Sequence, residues 1–247
     1  MKINFANKTI IVTGATRGIG KSIATNLSKL SANLILTGTN EAEIEKLNLE
    51  NNNKNKMYHC VDFTIKKSLS IFLDYLSSVE KIDGLVNNAG INRLNPINKI
   101  KYSDWDDMFE ANLTTPFKLI NTVSEKMIEN KYGRIVNIGS IFSVISKTKR
   151  AAYTATKAGL HGLTVGVSND LAKYNILVNT VSPGFMLTDL TYKNLSKDEI
   201  IDLAKQIPMN RLGDVDDISN AVLFLLSEKN AYITGQNLMV DGGFSNV

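Results

Sequence analysis

An α/β fold, with a seven-stranded parallel sheet doubly wound by helices on both faces, is predicted by three observations. Short apolar runs alternate with stretches of helical spacing from one end of the sequence to the other. Such alternation implies strand–helix–strand crossovers, which make strands parallel and cover both faces of the sheet. A glycine-rich turn follows the first apolar run directly. No linker or internal repeat divides the 247 residues, so 1–247 read as one domain, long enough to bury a large core.

The first strand is "TIIVT" (9–13). After the turn, Ile19, Ile23, Leu27 and Leu30 recur every three or four positions and set a helix over 18–30. "NLILT" (33–37) is the second strand, and the polar run "ENNNKNK" (50–56) is a solvated loop before the third, "MYHCV" (57–61). "GLVNN" (84–88) is the fourth strand. A helix from about Ser103 to Asn130 carries Pro116, whose missing N–H leaves the carbonyl of Asn112 without its helical partner. "RIVNIG" (134–139), a helix at 152–173, "ILVNTV" (176–181) and "NLMV" (237–240) complete the sheet. Residues from about 190 to 209 read as a substrate lid with its own short helix.

Composition narrows the function. The net charge of +4 is spread over interspersed charges of both signs, so solubility accounts for it better than nucleic-acid binding. Cys60 is the single cysteine; no intrachain disulfide can form, which fits a reducing compartment. Two histidines and one cysteine argue against a transition-metal site. The start, "MKINFANKTIIVTG", lacks a signal-peptide core, and no apolar run approaches the ~18 residues of a membrane span. The cytoplasm is the expected location, with no membrane partner.

The front half carries the marks of a Rossmann-type dinucleotide site. In "TGATRGIG", Gly14, Gly18 and Gly20 allow a tight turn and close approach to a pyrophosphate. The following helix aims free N–H groups and its positive end at that anion. The second strand ends "LTGTN", with Thr39 and no acid before Glu41. A carboxylate there would hold the ribose of NAD and repel a 2′-phosphate. Its absence, with Arg17 in reach of a phosphate, favours NADP(H) over NAD(H). A shift of the strand end toward Glu41 would reverse that preference. "NNAG" brings Asn88, Ala89 and Gly90 beneath the ligand, and Asp62 after the third strand suits an adenine amino group.

Taken in order and spacing, "TGATRGIG", "NNAG", Asn112, Ser140, Tyr153-x-x-x-Lys157 and "PG" (183–184) resemble the short-chain dehydrogenase/reductase family over nearly the whole sequence. "NNAGI", "GRIVNIGSI", "VSPGFMLTDL" and "AYITGQNLMVDGG" are most similar to its 3-oxoacyl-acyl-carrier-protein reductases. The resemblance implies an NADPH-dependent reduction of a 3-oxoacyl thioester, with a sugar or polyol oxidoreductase as the alternative. It implies Asn112, Ser140, Tyr153 and Lys157 as catalytic residues. It adds Thr16, Ile19, Tyr153, Lys157, Pro183, Gly184, Met186 and Thr188 to the cofactor contacts. It also implies a water between Asn112 and Lys157, and a homotetramer built on the helices around 103–130 and 152–173. Phe117, Leu163 and Val167 read either as apolar residues on the outer faces of those helices or as core.

Physical chemistry supports these roles. Tyr153 and Lys157 lie one turn apart on one helix face. A free phenol is a poor acid–base group near neutrality; a neighbouring ammonium and an oxidised nicotinamide are expected to lower its pKa. The sequence departs from the reductases just before the tyrosine. "SKTKRAAY" (146–153) holds Lys147, Lys149 and Arg150 where they usually carry glycines. It reads either as a solvated loop or as recognition of an anionic substrate, a phosphopantetheine arm or an acidic sugar. Lys126, Lys131 and Arg134 offer a basic patch for an acidic carrier protein, while "AKYNI" adds only Lys173.

Overall fold

A computed structural model describes residues 3–51, 55–188, 191–192 and 195–247. The sheet has seven strands: β1 (Thr9–Val12), β2 (Asn33–Gly38), β3 (Lys56–Cys60), β4 (Gly84–Asn87), β5 (Gly133–Ile138), β6 (Ile176–Pro183) and β7 (Asn237–Val240). Their order is β3-β2-β1-β4-β5-β6-β7, and every neighbouring pair is parallel. Each predicted strand is present, with ends moved by at most two residues.

The helices α1 (Gly18–Lys29), α2 (Glu41–Leu49), α3 (Lys66–Ser78), α4 (Tyr102–Phe109), α5 (Thr115–Glu129), α6 (Ala151–Leu171), α7 (Lys197–Lys205) and α8 (Val215–Leu226) surround it. Alternate residues of a strand face opposite sides. Ile10 and Val12 therefore pack with Ile23 and Leu27 of α1 and Val222 of α8. Ile11 joins Phe72 of α3 and Leu119 and Val123 of α5 on the other face. Burial on both faces is why the strands read as unbroken apolar runs. β5 and β6 are buried along their whole length, whereas the edge strands β3 and β7 are partly exposed.

The buried strands also carry polar residues, and these must find partners inside. The register aligns Asn87 with Asn137 and Asn137 with Thr180. Asn87 Nδ2 donates to Asn137 Oδ1 (2.8 Å), and Asn137 Nδ2 donates to Thr164 Oγ1 on α6 (2.8 Å). Thr164 and Thr180 share a hydroxyl contact of 2.8 Å. This seam fixes α6, and hence Tyr153 and Lys157, against the sheet.

The helix expected over 103–130 is divided. One π turn, Glu110–Thr114, separates α4 from α5, and the Thr115 N–H reaches back to Glu110 O. Pro116 sits in the first turn of α5, where its missing N–H is tolerated. The added residue in that turn relieves the crowding that a proline imposes on the preceding carbonyls. Strand order reverses between β1 and β4, and the crevice at their carboxyl ends is where doubly wound sheets hold ligands.

Candidate active site

The glycine turn is stitched to both neighbouring strands. Thr13 Oγ1 accepts from the N–H groups of Asn88 (2.9 Å) and Ala89 (3.0 Å). Asn88 Nδ2 donates to Thr13 O (2.9 Å) and Gly14 O (3.0 Å). Gly14 N–H donates to Thr37 Oγ1 at the end of β2 (3.1 Å). Gly14 and Gly18 have left-handed backbones (φ 64° and 54°). A Cβ on Gly20 would overlap Gly14 O and Asn88 Nδ2, and one on Gly90 would lie 3.0 Å from Asn112 Oδ1. Such a cradle, which side chains would fill, fits a dinucleotide.

Arg17 is the exposed N-cap of α1, whose first turn has no side-chain cap and no acid. Its first N–H groups, from Gly18, Ile19 and Gly20, are thus left for an anion. Thr16 packs its methyl over Gly38, where a Cβ would collide with it. Thr39 is exposed beyond β2, Asn40 caps α2, and Glu41 is the first residue of that helix. Burial, then the charges of Glu41 and Asp62, push the Cys60 thiol upward, so both carboxylates flank the tip of β3. Asp62 Oδ1 accepts from the Thr64 N–H (2.9 Å) and hydroxyl (2.7 Å).

On the other side of the crevice, Pro183 ends β6 and Gly184 N–H donates to Val240 O (3.0 Å). A Cβ on Gly184 would stand 2.7 Å from Asp241 Cα. Met186 bridges to Gly213, and Thr191 Oγ1 donates to Met186 O (2.6 Å) and meets Thr188 Oγ1 (3.1 Å). Asp189, Leu190, Lys193 and Asn194, in and before the expected lid, lie outside the described residues; α7 stands where its short helix was expected.

Ser140, Tyr153, Lys157 and Asn112 converge from three elements. Ser140 follows β5 and caps a short turn, accepting from Phe142 N–H (3.2 Å). Tyr153 is half-buried, and Ser140 lies close enough to act on its hydroxyl, opposing the rise in its pKa. Lys157 is buried; its Nζ donates to Ile138 O (2.8 Å) and lies 5.7 Å from the Tyr153 ring centre. Asn112, in the π turn, is 1 % exposed, leaving no room for its amide to turn outward. Its Oδ1 accepts from Ile91 N–H (2.8 Å), while Nδ2 donates to Ile91 O (2.9 Å) and Thr156 Oγ1 (3.1 Å).

The electrostatics differ from the sequence expectation. Burial pushes the Tyr153 phenol above its ordinary value; Ser140 and the Arg150 charge oppose that rise. Lys157 does not lower it here, because its ammonium is turned to Ile138 O and is itself brought down to about 8 by burial. The phenol is therefore a weaker acid than a free tyrosine in this arrangement, and the lowering expected from Lys157 is not present.

At the mouth, aromatic rings run from the tyrosine outward. Phe142 meets Tyr153 edge-on (6.2 Å between centres), then Phe185 (6.5 Å), which meets Phe244 (5.0 Å). Arg150 lies over Phe142 (4.4 Å) and Lys147 over Phe185 (4.8 Å). Arg134, expected in a docking patch, is 4 % exposed and cannot belong to one. It donates instead to Gly133 O and Asn175 O (2.8 Å each). Sequence reading missed Thr13, Thr37, Thr156 and Phe142 as supports, since each acts through partners set by the fold.

The family model described as enoyl-(acyl carrier protein) reductase matches residues 14–245. The 3-oxoacyl-[acyl-carrier-protein] reductase FabG of Escherichia coli is 39% identical over 244 residues, 98% of each chain. FabG of Aquifex aeolicus is 38% identical over 98% of this chain and 99% of that one. Among solved structures, a gluconate 5-dehydrogenase from Burkholderia cenocepacia, in complex with NADP and tartrate, superposes with a TM-score of 0.88. It is 30% identical, over 99% of this chain and 97% of that one. With this fold, this crevice and these relatives, the chain belongs to the short-chain dehydrogenase/reductase family and is a nicotinamide-dependent oxidoreductase acting on CH–OH and C=O groups.

Proposed function

We propose that the protein is an NADPH-dependent reductase that converts a 3-oxoacyl thioester on acyl-carrier protein to the 3-hydroxyacyl product. The observation that carries this reading is the meeting of Ser140, Tyr153 and Lys157 at the mouth of a dinucleotide cradle, with Lys157 Nζ 5.7 Å from the Tyr153 ring centre. The relatives named as 3-oxoacyl-acyl-carrier-protein reductases support the substrate class. The family model's description names an enoyl substrate. A Ser–Tyr pair, however, suits an oxygen that accumulates charge better than a carbon–carbon double bond.

When bound, the nicotinamide supplies hydride to the carbonyl carbon. Tyr153 gives its proton to the carbonyl oxygen, and Ser140 hydrogen-bonds that oxygen as its charge grows. Lys157 holds the ribose hydroxyls beside the phenol. Asn112 has its side chain occupied by Ile91 and Thr156, so its contribution is the carbonyl of the π turn. That carbonyl seats a water through which Lys157 recovers protons. Gly14, Thr16, Arg17, Gly18, Ile19 and Gly20 take the phosphates. Thr39 would face the 2′-phosphate, Asp62 would accept from the adenine amino group, and Asn88, Ala89 and Gly90 would support the cofactor from beneath. Pro183, Gly184, Met186 and Thr188 would hold the nicotinamide amide. The exposed Arg17 and the acid-free end of β2 support NADP(H).

The assembly we propose is a homotetramer in the cytoplasm, built on α5 and α6. Phe117 is 51% exposed there, which supports it, while Leu163 and Val167 are half-buried, in part packed against the core. A second reading, a sugar or polyol oxidoreductase, draws on the cationic mouth and the likeness to a gluconate 5-dehydrogenase. Rates of NADPH and NADH oxidation with acetoacetyl thioesters and keto-sugars separate the two. Thioester turnover with NADPH is expected to dominate; preference for a keto-sugar selects the second reading.

A further inference from the structure

Arg150 raises a question that thioester reduction does not answer. Its guanidinium is half-buried, yet no ion pair joins it, Lys147 or Lys149 to a carboxylate among the described residues. Removing a cation from water without a counter-charge is unfavourable. Arg150 also occupies the N-cap of α6, where a positive charge opposes the helix dipole and no acid lies in the first turn. Three helix starts, at α2, α7 and α8, show the usual chemistry, with Asn40, Ser196 and Asp214 capping through their side chains and acids following, whereas α1 and α3 share the uncapped, acid-free start of α6. The half-buried guanidinium without a counter-charge is what points to a ligand that supplies the missing charge.

The location says which kind of ligand. Arg150 stacks on Phe142, whose edge meets the Tyr153 ring, so the guanidinium stands one aromatic ring away from the phenol. Its charge also acts on Tyr153, opposing the rise that burial gives the phenol. Lys147 lies farther out, over Phe185 and Phe244. An extended chain advances roughly 1.2 Å per bond, which puts the phosphate of a pantetheine arm, about sixteen bonds from a 3-oxo carbon, well past Arg150. A carboxylate a few carbons from the carbonyl falls within its reach, and a guanidinium binds carboxylate with two parallel hydrogen bonds.

We infer that Arg150 is the anchor of an anion subsite within the candidate active site, with Lys147 at its rim, and that the site accepts short oxo acids bearing a free carboxylate. This inference rests on Tyr153 as proton donor and adds a substrate class to the thioester. The carbonyl carbon gains hydride from the reduced nicotinamide, the oxygen gains the Tyr153 proton, and the carboxylate stays unchanged on Arg150.

The test compares levulinate and its longer homologue 5-oxohexanoate with their methyl esters, using NADPH and the full-length protein. At least one acid is expected to exceed its ester in kcat/KM by about tenfold or more. That ratio should collapse toward one in Arg150→Gln and recover partly in Arg150→Lys. Glutarate, which has no ketone to reduce, gives a second readout: calorimetry should detect binding to the wild type and none to Arg150→Gln. Equal rates for acid and ester, or a ratio unmoved by Arg150→Gln, overturns the subsite and leaves thioester reduction standing. If Arg150→Gln instead slows a coenzyme A thioester but not its truncated N-acetylcysteamine counterpart, the charge it reads is the pantetheine phosphate, and the short-acid inference fails. No turnover of any carbonyl compound would fault the proton-donor reading itself, while glutarate binding still decides the subsite.

Discussion

Lys157 shows how one residue can serve chemistry at a cost to the fold. Its ammonium is buried, brought down to about 8, and held by one backbone carbonyl. Around neutral pH it is charged in both the folded and unfolded states, and the fold bears the desolvation. As pH rises from about 8 toward the ordinary lysine value, the folded state releases its proton first, so stability increases through that window. Lys157→Met is therefore expected to raise the stability of the cofactor-free protein near pH 7, by about 1–2 kcal/mol after the lost hydrogen bond is deducted. The gain should shrink with rising pH, which urea unfolding at several pH values would register; a variant less stable than wild type at pH 7 would contradict it. The residue type and spacing of Tyr153 and Lys157 were legible in the sequence because both lie on one helix face. The pKa pattern was not, because it depends on burial and on where Nζ points. Arg134 misled for the same reason: in a sequence an arginine reads as surface, and only the fold shows it closed inside.

At the scale of the element, two local devices position the site. The first is the glycine turn. An alanine inside a helix usually stabilises it by up to ~1 kcal/mol relative to glycine. At Gly20 the added Cβ would overlap Gly14 O and Asn88 Nδ2, so steric conflict outweighs propensity. Gly20→Ala is expected to weaken NADPH binding about tenfold or more, as fluorescence titration would report, with unchanged affinity as the contrary result. The second device is the π turn. Asn112→Ala would leave the part-buried Ile91 N–H and carbonyl without these partners. A loss of about 2–3 kcal/mol in urea unfolding is expected, together with reduced turnover. Pro116 announced an irregular helix in the sequence, but not that the irregularity would be a π turn. The strands were legible because both sheet faces are covered. Contacts such as Gly14 with Thr37, or Ala89 with Thr13, were not, since they join residues 23 and 76 positions apart.

Over the whole molecule, the parallel sheet collects residues from every part of the sequence at one edge, and the Asn87–Asn137–Thr164–Thr180 seam locks α6 to it. The outer surface of α5 and α6 was only partly legible. Phe117 is exposed as expected, Leu163 and Val167 are half-buried against the core, and Gly162, Val165 and Gly166 are among the exposed residues of α6 beside them. Small residues on a helix face let another helix approach closely, so the proposed tetramer is expected in light scattering; a monomer across micromolar concentrations would refute it. The central claim concerns a single proton. Tyr153→Phe keeps the ring against Phe142 and removes only the hydroxyl, so stopped-flow NADPH oxidation with saturating acetoacetyl thioester, paired with NADPH titration, tests it most directly. A fall in turnover of about 10²–10⁴-fold with near-normal cofactor affinity is predicted; turnover within a few-fold of wild type would mean that another group supplies the proton.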